Sequence, residues 1–230
     1  MVENLPFLSH PVLQVALDVT DLDLALKLAK ECWNGGARWI EAGTPLIKSV
    51  GMKAVRELRR ILPEATIVAD MKCMDAGFLE TEMASLSGAN VVTVLGVASD
   101  ATIKEVIKAA KKYGVKVMVD LINTSNPVRR GLDVEVMGAD IVCLHTGIDV
   151  QSYLKTTAYE NLFEYIRKAC EVLHVPVAVA GGITVEKVLP LIDSGVKVII
   201  VGSAITKSKN PKEAVKRFIE KFPPLSSGFP

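Results

Sequence analysis

Thr66-Ile67-Val68-Ala69-Asp70-Met71-Lys72-Cys73-Met74-Asp75 changes character in the middle. Its first four residues suit a buried strand. The next six hold three ionisable groups, which a core would have to desolvate at heavy cost. Alternation along an extended chain places Asp70 and Lys72 on one face and Met71 on the other. Asp75 falls beyond the strand and is free to point elsewhere. Carboxylate, ammonium and carboxylate at this spacing can hold a metal, fix one another's ionisation and pass a proton. The plain alternative is a salt bridge at a strand end, and the rest of the chain decides between the two.

Working outward, the same transition recurs. Leu13-Gln14-Val15-Ala16-Leu17 ends in Asp18, Trp39-Ile40 in Glu41, and Val91-Val92-Thr93-Val94-Leu95 in Gly96. Val117-Met118-Val119 ends in Asp120, Ile141-Val142-Cys143-Leu144 in His145, Val177-Ala178-Val179-Ala180 in Gly181-Gly182, and Val198-Ile199-Ile200-Val201 in Gly202-Ser203. Between these runs lie helical patterns: one after the Thr20-Asp21 cap, then 48–62, 78–86, 102–113, 128–137, 162–173, 184–193 and 211–222, mostly stopped by Gly or Pro. Residues 146–157 form the most irregular stretch.

Eight strand-then-helix units of about 30 residues, with strands apolar throughout, imply a parallel sheet covered on both faces. In a chain of 230 residues this predicts an α/β fold, a closed (β/α)8 TIM barrel over 1–222 with a Pro- and Ser-rich tail at 223–230. A doubly wound open sheet is the rival. It lacks support, because no G-x-G-x-x-G follows the first strand and no lysine-bearing phosphate loop occurs.

A formal net charge of +1, with basic residues scattered, provides no footprint for nucleic acid. No apolar run approaches the ~18 residues of a membrane span, and no secretory signal is evident at the N-terminus. Cys32, Cys73, Cys143 and Cys170 form no C-x-x-C pair and sit in apolar company, which reads as buried free thiols in a reducing cytoplasm.

In a barrel, the C-terminal ends of the strands share one mouth, where active sites lie. Asp18, Glu41, Asp70, Lys72, Asp120 and His145 should therefore converge. Gly181-Gly182 and Gly202-Ser203, on the last two strands, offer bare backbone N–H groups suited to a phosphate; an ordinary tight turn is the alternative. Glu41 and Asp70, on adjacent strands, can supply two hard oxygens to Mg2+, which commonly takes only one or two carboxylates. His145 at a strand end can carry protons near neutral pH.

These residues resemble a known family. Asp70-Met71-Lys72-Cys73-Met74-Asp75 is similar to the D-x-K-x-x-D signature of the orotidine 5′-monophosphate decarboxylase superfamily, and the likeness runs from Leu13 to Ile205. Glu41 stands where orotidylate decarboxylases carry lysine; glutamate there marks the Mg2+-dependent branch of 3-keto-L-gulonate 6-phosphate decarboxylases and 3-hexulose-6-phosphate synthases. Asp70 to Gly77, Thr93-Val94-Leu95-Gly96, Val119-Asp120-Leu121-Ile122 and Val201-Gly202-Ser203-Ala204 look like the synthases, archaeal ones most of all. The decarboxylases carry arginine at the Ser203 position. The loop 123–130 departs from bacterial synthases.

The resemblance implies a homodimer with shared sites, Asp75 reaching into the partner's. It implies Mg2+ on Glu41 and Asp70, and Lys72 clamped between Asp18, Asp70 and Asp75. Phosphate would be held by Gly181, Gly182, Gly202 and Ser203, with the Ser203 or Lys207 side chain assisting. The implied chemistry is reversible aldol addition of formaldehyde to D-ribulose 5-phosphate through a 1,2-enediolate, giving D-arabino-hex-3-ulose 6-phosphate, with His145 or a carboxylate as base. It also implies fusion or partnership with 6-phospho-3-hexuloisomerase. The alternatives are the keto-gulonate phosphate decarboxylase and a non-catalytic phosphosugar-binding barrel; a Schiff-base aldolase on Lys72 is disfavoured by its flanking carboxylates.

Overall fold

A computed structural model describes residues 8, 10–155 and 157–223. Eight strands follow one another around a closed barrel: β1 Val12–Leu17, β2 Trp39–Ala42, β3 Thr66–Cys73, β4 Val91–Leu95, β5 Lys116–Asp120, β6 Ile141–His145, β7 Val177–Ala180 and β8 Val198–Val201. Every neighbouring pair is parallel, and β8 closes on β1 through Val12↔Val198 to Val15↔Val201. The helices are α1 Leu22–Asn34, α2 Thr44–Val50, α3 Lys53–Ile61, α4 Gly77–Leu86, α5 Asp100–Tyr113, α6 Pro127–Met137, α7 Ile148–Leu154, α8 Ala158–Val172, α9 Val188–Asp193, α10 Ser203–Thr206 and α11 Pro211–Ile219. The (β/α)8 TIM barrel is thus the fold. Residues 224–230 of the expected tail lie outside the described residues.

The strands are apolar throughout because each buries two faces. Val15, Ile40, Ile67, Val92, Val119, Val142, Val179 and Ile199 belong to the layer packed against the helices. Trp39, Val68, Val91, Met118, Ile141, Cys143, Ala178 and Val198 form a second cluster filling the barrel. α5 illustrates the outer ring. It buries Ile103, Val106, Ile107 and Ala110 at helical spacing, Ser99 Oγ caps its start by accepting from Thr102 N–H, and Gly114 ends it in the left-handed region.

Period two then places the polar residues. Glu41 stands two residues beyond Trp39, Asp70 beyond Val68, Thr93 beyond Val91, Asp120 beyond Met118 and His145 beyond Cys143. Each therefore faces inward, one layer nearer the mouth.

Several boundaries differ from the sequence expectation. The single helix expected at 48–62 is two, because Gly51 adopts φ +68 between α2 and α3. The irregular stretch 146–157 contains α7. β3 runs on through Cys73, where a break in the sequence pattern suggested an end at Ala69. Its register with β4 shifts between Ala69 and Cys73, and Lys72 sits at φ +45; this is a bulge, which re-aims side chains at a barrel rim. The four cysteines are free, and among the described residues no helix is long and apolar enough to cross a membrane.

Candidate active site

Two hydroxyls hold the bulge in β3: that of Thr93, and that of Thr44, which lies 2.8 Å from the Asp70 carbonyl. Thr93 Oγ1 accepts from Lys72 N–H at 2.9 Å and donates to Asp70 Oδ1 at 2.8 Å. Asp70 Oδ2 receives Lys72 Nζ at 2.6 Å and lies 2.7 Å from the Thr44 hydroxyl. Asp70 and Lys72 thus share one face, as alternation requires, and are bonded to each other.

Lys72 Nζ also lies 3.4 Å from Asp120 Oδ2. Burial alone would lower its pKa, but Asp70 and Asp120 outweigh that and hold it above the ordinary value. Within the protomer, the carboxylates paired with Lys72 are Asp70 and Asp120. Asp18 is close enough to feel the Lys72 charge. Asp75 is exposed in the loop before α4 and, among the described residues, has no hydrogen-bond or ion-pair partner.

Glu41 is buried, and Gln14 Nε2 donates to its Oε2 at 2.5 Å from the barrel interior. Burial, with Asp70 and Asp18 nearby, pushes the Glu41 carboxyl well above the usual carboxylate range. Desolvation at the mouth and Asp70 likewise raise Asp18. A methyl at Gly43 would collide with Asp18 Oδ1, so glycine at the end of β2 makes room for that carboxylate.

Asp120 behaves oppositely. Burial would raise its pKa, but His145, Lys72 and the Ile122 N–H hold it below the ordinary value. Its Oδ2 lies 2.9 Å from His145 Nδ1, and its Oδ1 accepts from Ile122 N–H at 3.0 Å. An ionised Asp120 accepts a hydrogen bond from Nδ1–H, which leaves Nε2 as the basic nitrogen. Sequence reasoning counted Asp120 among the strand ends without giving it a role. Its position was the available signal, as was a lone amide, Gln14, in an apolar strand.

Gly181 and Gly182 adopt φ +111 and +67. A methyl at Gly181 would strike the Thr146 carbonyl, so only glycine fits. Among the described residues, the N–H groups of Gly181, Gly182, Gly202 and Ser203 find no acceptor. The diglycine thus offers unspent donors, as its sequence suggested.

Glu41 and Asp70 lie with Asp18 around the one ammonium of Lys72, so carboxylates outnumber cations there. No group of three or more His, Cys, Asp or Glu gathers as a metal cage among the described residues. This donor set fits a hard cation that keeps most of its shell for water and substrate, as Mg2+ does, and does not fit a closed structural metal.

Comparison with known proteins agrees with this layout. A bifunctional enzyme Fae/Hps of Methanosphaerula palustris is 38% identical over 91% of this chain. The match covers 52% of that relative, so the chain spans about half the length of such archaeal proteins. The 3-hexulose-6-phosphate synthase of Bacillus subtilis is 35% identical, over 89% of this chain and 95% of its own. A crystal structure of a 3-hexulose-6-phosphate synthase superposes with a TM-score of 0.86 at 36% identity, covering 91% of this chain and 99% of the other. Residues 11–218, nearly the whole barrel, match the profile of one family, and with the strand-end constellation in place the conclusion is direct: the chain belongs to the orotidine 5'-phosphate decarboxylase / HUMPS family.

Proposed function

We propose that this chain is a 3-hexulose-6-phosphate synthase, an aldehyde-lyase joining formaldehyde to D-ribulose 5-phosphate reversibly and with Mg2+. The observation that carries the reading is the Asp120–His145 couple at the same mouth as Glu41, Asp70 and Lys72. The names of the Bacillus relative and of the solved synthase support it. Glu41 and Asp70 would hold the ion, with Gln14 and Thr93 steadying their carboxylates. When bound, Mg2+ supplies Lewis acidity toward substrate oxygens.

The remaining chemistry belongs to the chain. His145 Nε2 takes the proton from the carbon beside the ketone, and Asp120 stabilises the imidazolium that forms. The enediolate carbon bonds to formaldehyde, whose oxygen takes up the proton to become a hydroxymethyl group. Lys72, kept charged by Asp70 and Asp120, donates to substrate oxygens and is unsuited to a Schiff base. Gly181, Gly182, Gly202 and Ser203 receive the phosphate.

A homodimer completes the proposal. Met74, Leu79, Met83 and Leu86 expose a row of large apolar side chains beside the unpaired Asp75, a patch suited to a second copy of the chain. The bifunctional relatives are named Fae/Hps, so their names do not record the expected isomerase fusion; 6-phospho-3-hexuloisomerase remains a proposed partner as the step consuming the 3-ketose phosphate.

The test is formaldehyde consumption with ribulose 5-phosphate and Mg2+, with and without EDTA. Metal-dependent loss supports the synthase. Turnover indifferent to EDTA removes the metal from the proposal. Release of CO2 from 3-keto-L-gulonate 6-phosphate without formaldehyde chemistry would make it the decarboxylase instead, and phosphosugar binding without turnover would make it a binding protein.

A further inference from the structure

We propose that Gln151, on α7, is the side chain that completes the phosphate subsite and selects phosphorylated substrates. The inference rests on the phosphate reading of the diglycine and adds to it a residue that neither motif nor strand end marks. α7 buries none of its residues, yet the Gln151 carboxamide lies directly over both glycines. A Cβ built on Gly181 would come within 3.0 Å of Nε2, and one on Gly182 within 2.7 Å of Oε1. The missing side chains of Gly181 and Gly182 therefore make room for this amide as well as for a ligand.

The amide's orientation is fixed. Nε2 donates to the Thr146 carbonyl at 2.6 Å, and a primary amide nitrogen carries two protons. One is spent on Thr146; the other has no acceptor among the described residues, in an amide that stands beside backbone N–H groups likewise without one. The Thr146 hydroxyl, at the neighbouring end of β6, is also buried and without a partner among the described residues, so a second unspent donor stands next to the diglycine strand. An anion seated on the diglycine meets backbone donors from below and the Gln151 amide from above. Ser203 adds only a hydroxyl, so Gln151 supplies the side-chain amide of the subsite.

The experiment measures the dissociation constant of inorganic phosphate by titration calorimetry for the wild type, Gln151→Ala and Gln151→Glu. It also measures KM for ribulose 5-phosphate and for formaldehyde. A hydrogen bond to a charged group is worth a factor of about ten or more. Gln151→Ala should weaken phosphate by about that factor, and Gln151→Glu by more, since it replaces a donor with a like charge. KM for ribulose 5-phosphate should rise in the same order while KM for formaldehyde holds. Variants that bind phosphate as the wild type does overturn the role of Gln151. So does an equal loss in formaldehyde KM and thermal midpoint, which would make Gln151 a strut for the loop. A wild type that ignores phosphate overturns the subsite itself, which separates the two failures.

Discussion

Thr93→Val removes one of the hydroxyls that hold the β3 bulge while keeping the residue's shape. Thr93 is buried, donates to Asp70, the ion-pair partner of Lys72, at 2.8 Å and accepts from Lys72 N–H at 2.9 Å. A hydrogen bond to a charged group contributes about 1.5–3 kcal/mol and a neutral one about 1 kcal/mol, so the loss should be about 2.5–4 kcal/mol. At about 2–4 °C per kcal/mol for a chain of this size, the unfolding midpoint should fall by about 5–16 °C. Thr93→Ser keeps both bonds and loses one methyl, about 0.8 kcal/mol, and should fall by about 2–3 °C. Calorimetry gives the midpoints, and formaldehyde consumption reports whether Asp70 and Lys72 have moved. A valine variant that melts with the serine variant and turns over at its rate would refute the reasoning. The bulge would then be held by Thr44 and backbone pairing.

Other outcomes follow from the same mouth. The Glu41 carboxyl is pushed up by burial, Asp70 and Asp18, so the stability it lends is full below the unfolded value of about 4.3 and is lost as pH rises through the folded value. Metal-free Glu41→Gln should therefore melt higher than the wild type near pH 8, converge with it near pH 4, and show no metal-dependent turnover. Equal midpoints across that range would count against a strained carboxylate. Asp120 is held below the ordinary value and stays ionised throughout this window; Asp120→Asn should lower kcat by about 10²–10⁴-fold by depriving His145 of its partner, and a drop of under tenfold would mean that His145 works alone. Mixing inactive Asp75→Ala with inactive His145→Ala should restore activity through mixed dimers, and a mixture that stays silent would argue against shared sites.

The barrel was legible because burial on both faces leaves an unmistakable trace: eight apolar runs, each ending where the chain turns polar. Glu41, Asp70, Lys72, Asp120 and His145 were legible through that same trace, since the end of a barrel strand is a place as well as a residue. What escaped depends on contacts between distant segments. No local pattern says that Thr93 will help hold the β3 bulge, that Gln14 will reach Glu41 from the neighbouring strand, or that Asp120 will join Asp70 at Lys72. The break between α2 and α3 did have a local signal in Gly51, but a lone glycine within an amphipathic run is often tolerated. α7 was missed because it buries nothing, and a helix without a buried face leaves no hydrophobic period to read.

Closure of β8 onto β1 has a consequence during synthesis. About 190 residues separate the paired Val12 and Val198, so at roughly 5–20 residues per second the ribosome needs on the order of 10–40 s to deliver the last strand after the first. Throughout that interval the nascent chain exposes one unpaired edge of β1, the feature that invites wrong strand partners. Asp18 and Gly202, which flank each other in the finished mouth, meet only when the final strand docks. Gly202 and Ser203, half of the proposed phosphate seat, therefore join the site last. The same late event that completes the site also removes the last edge, which makes activity a direct report of correct assembly.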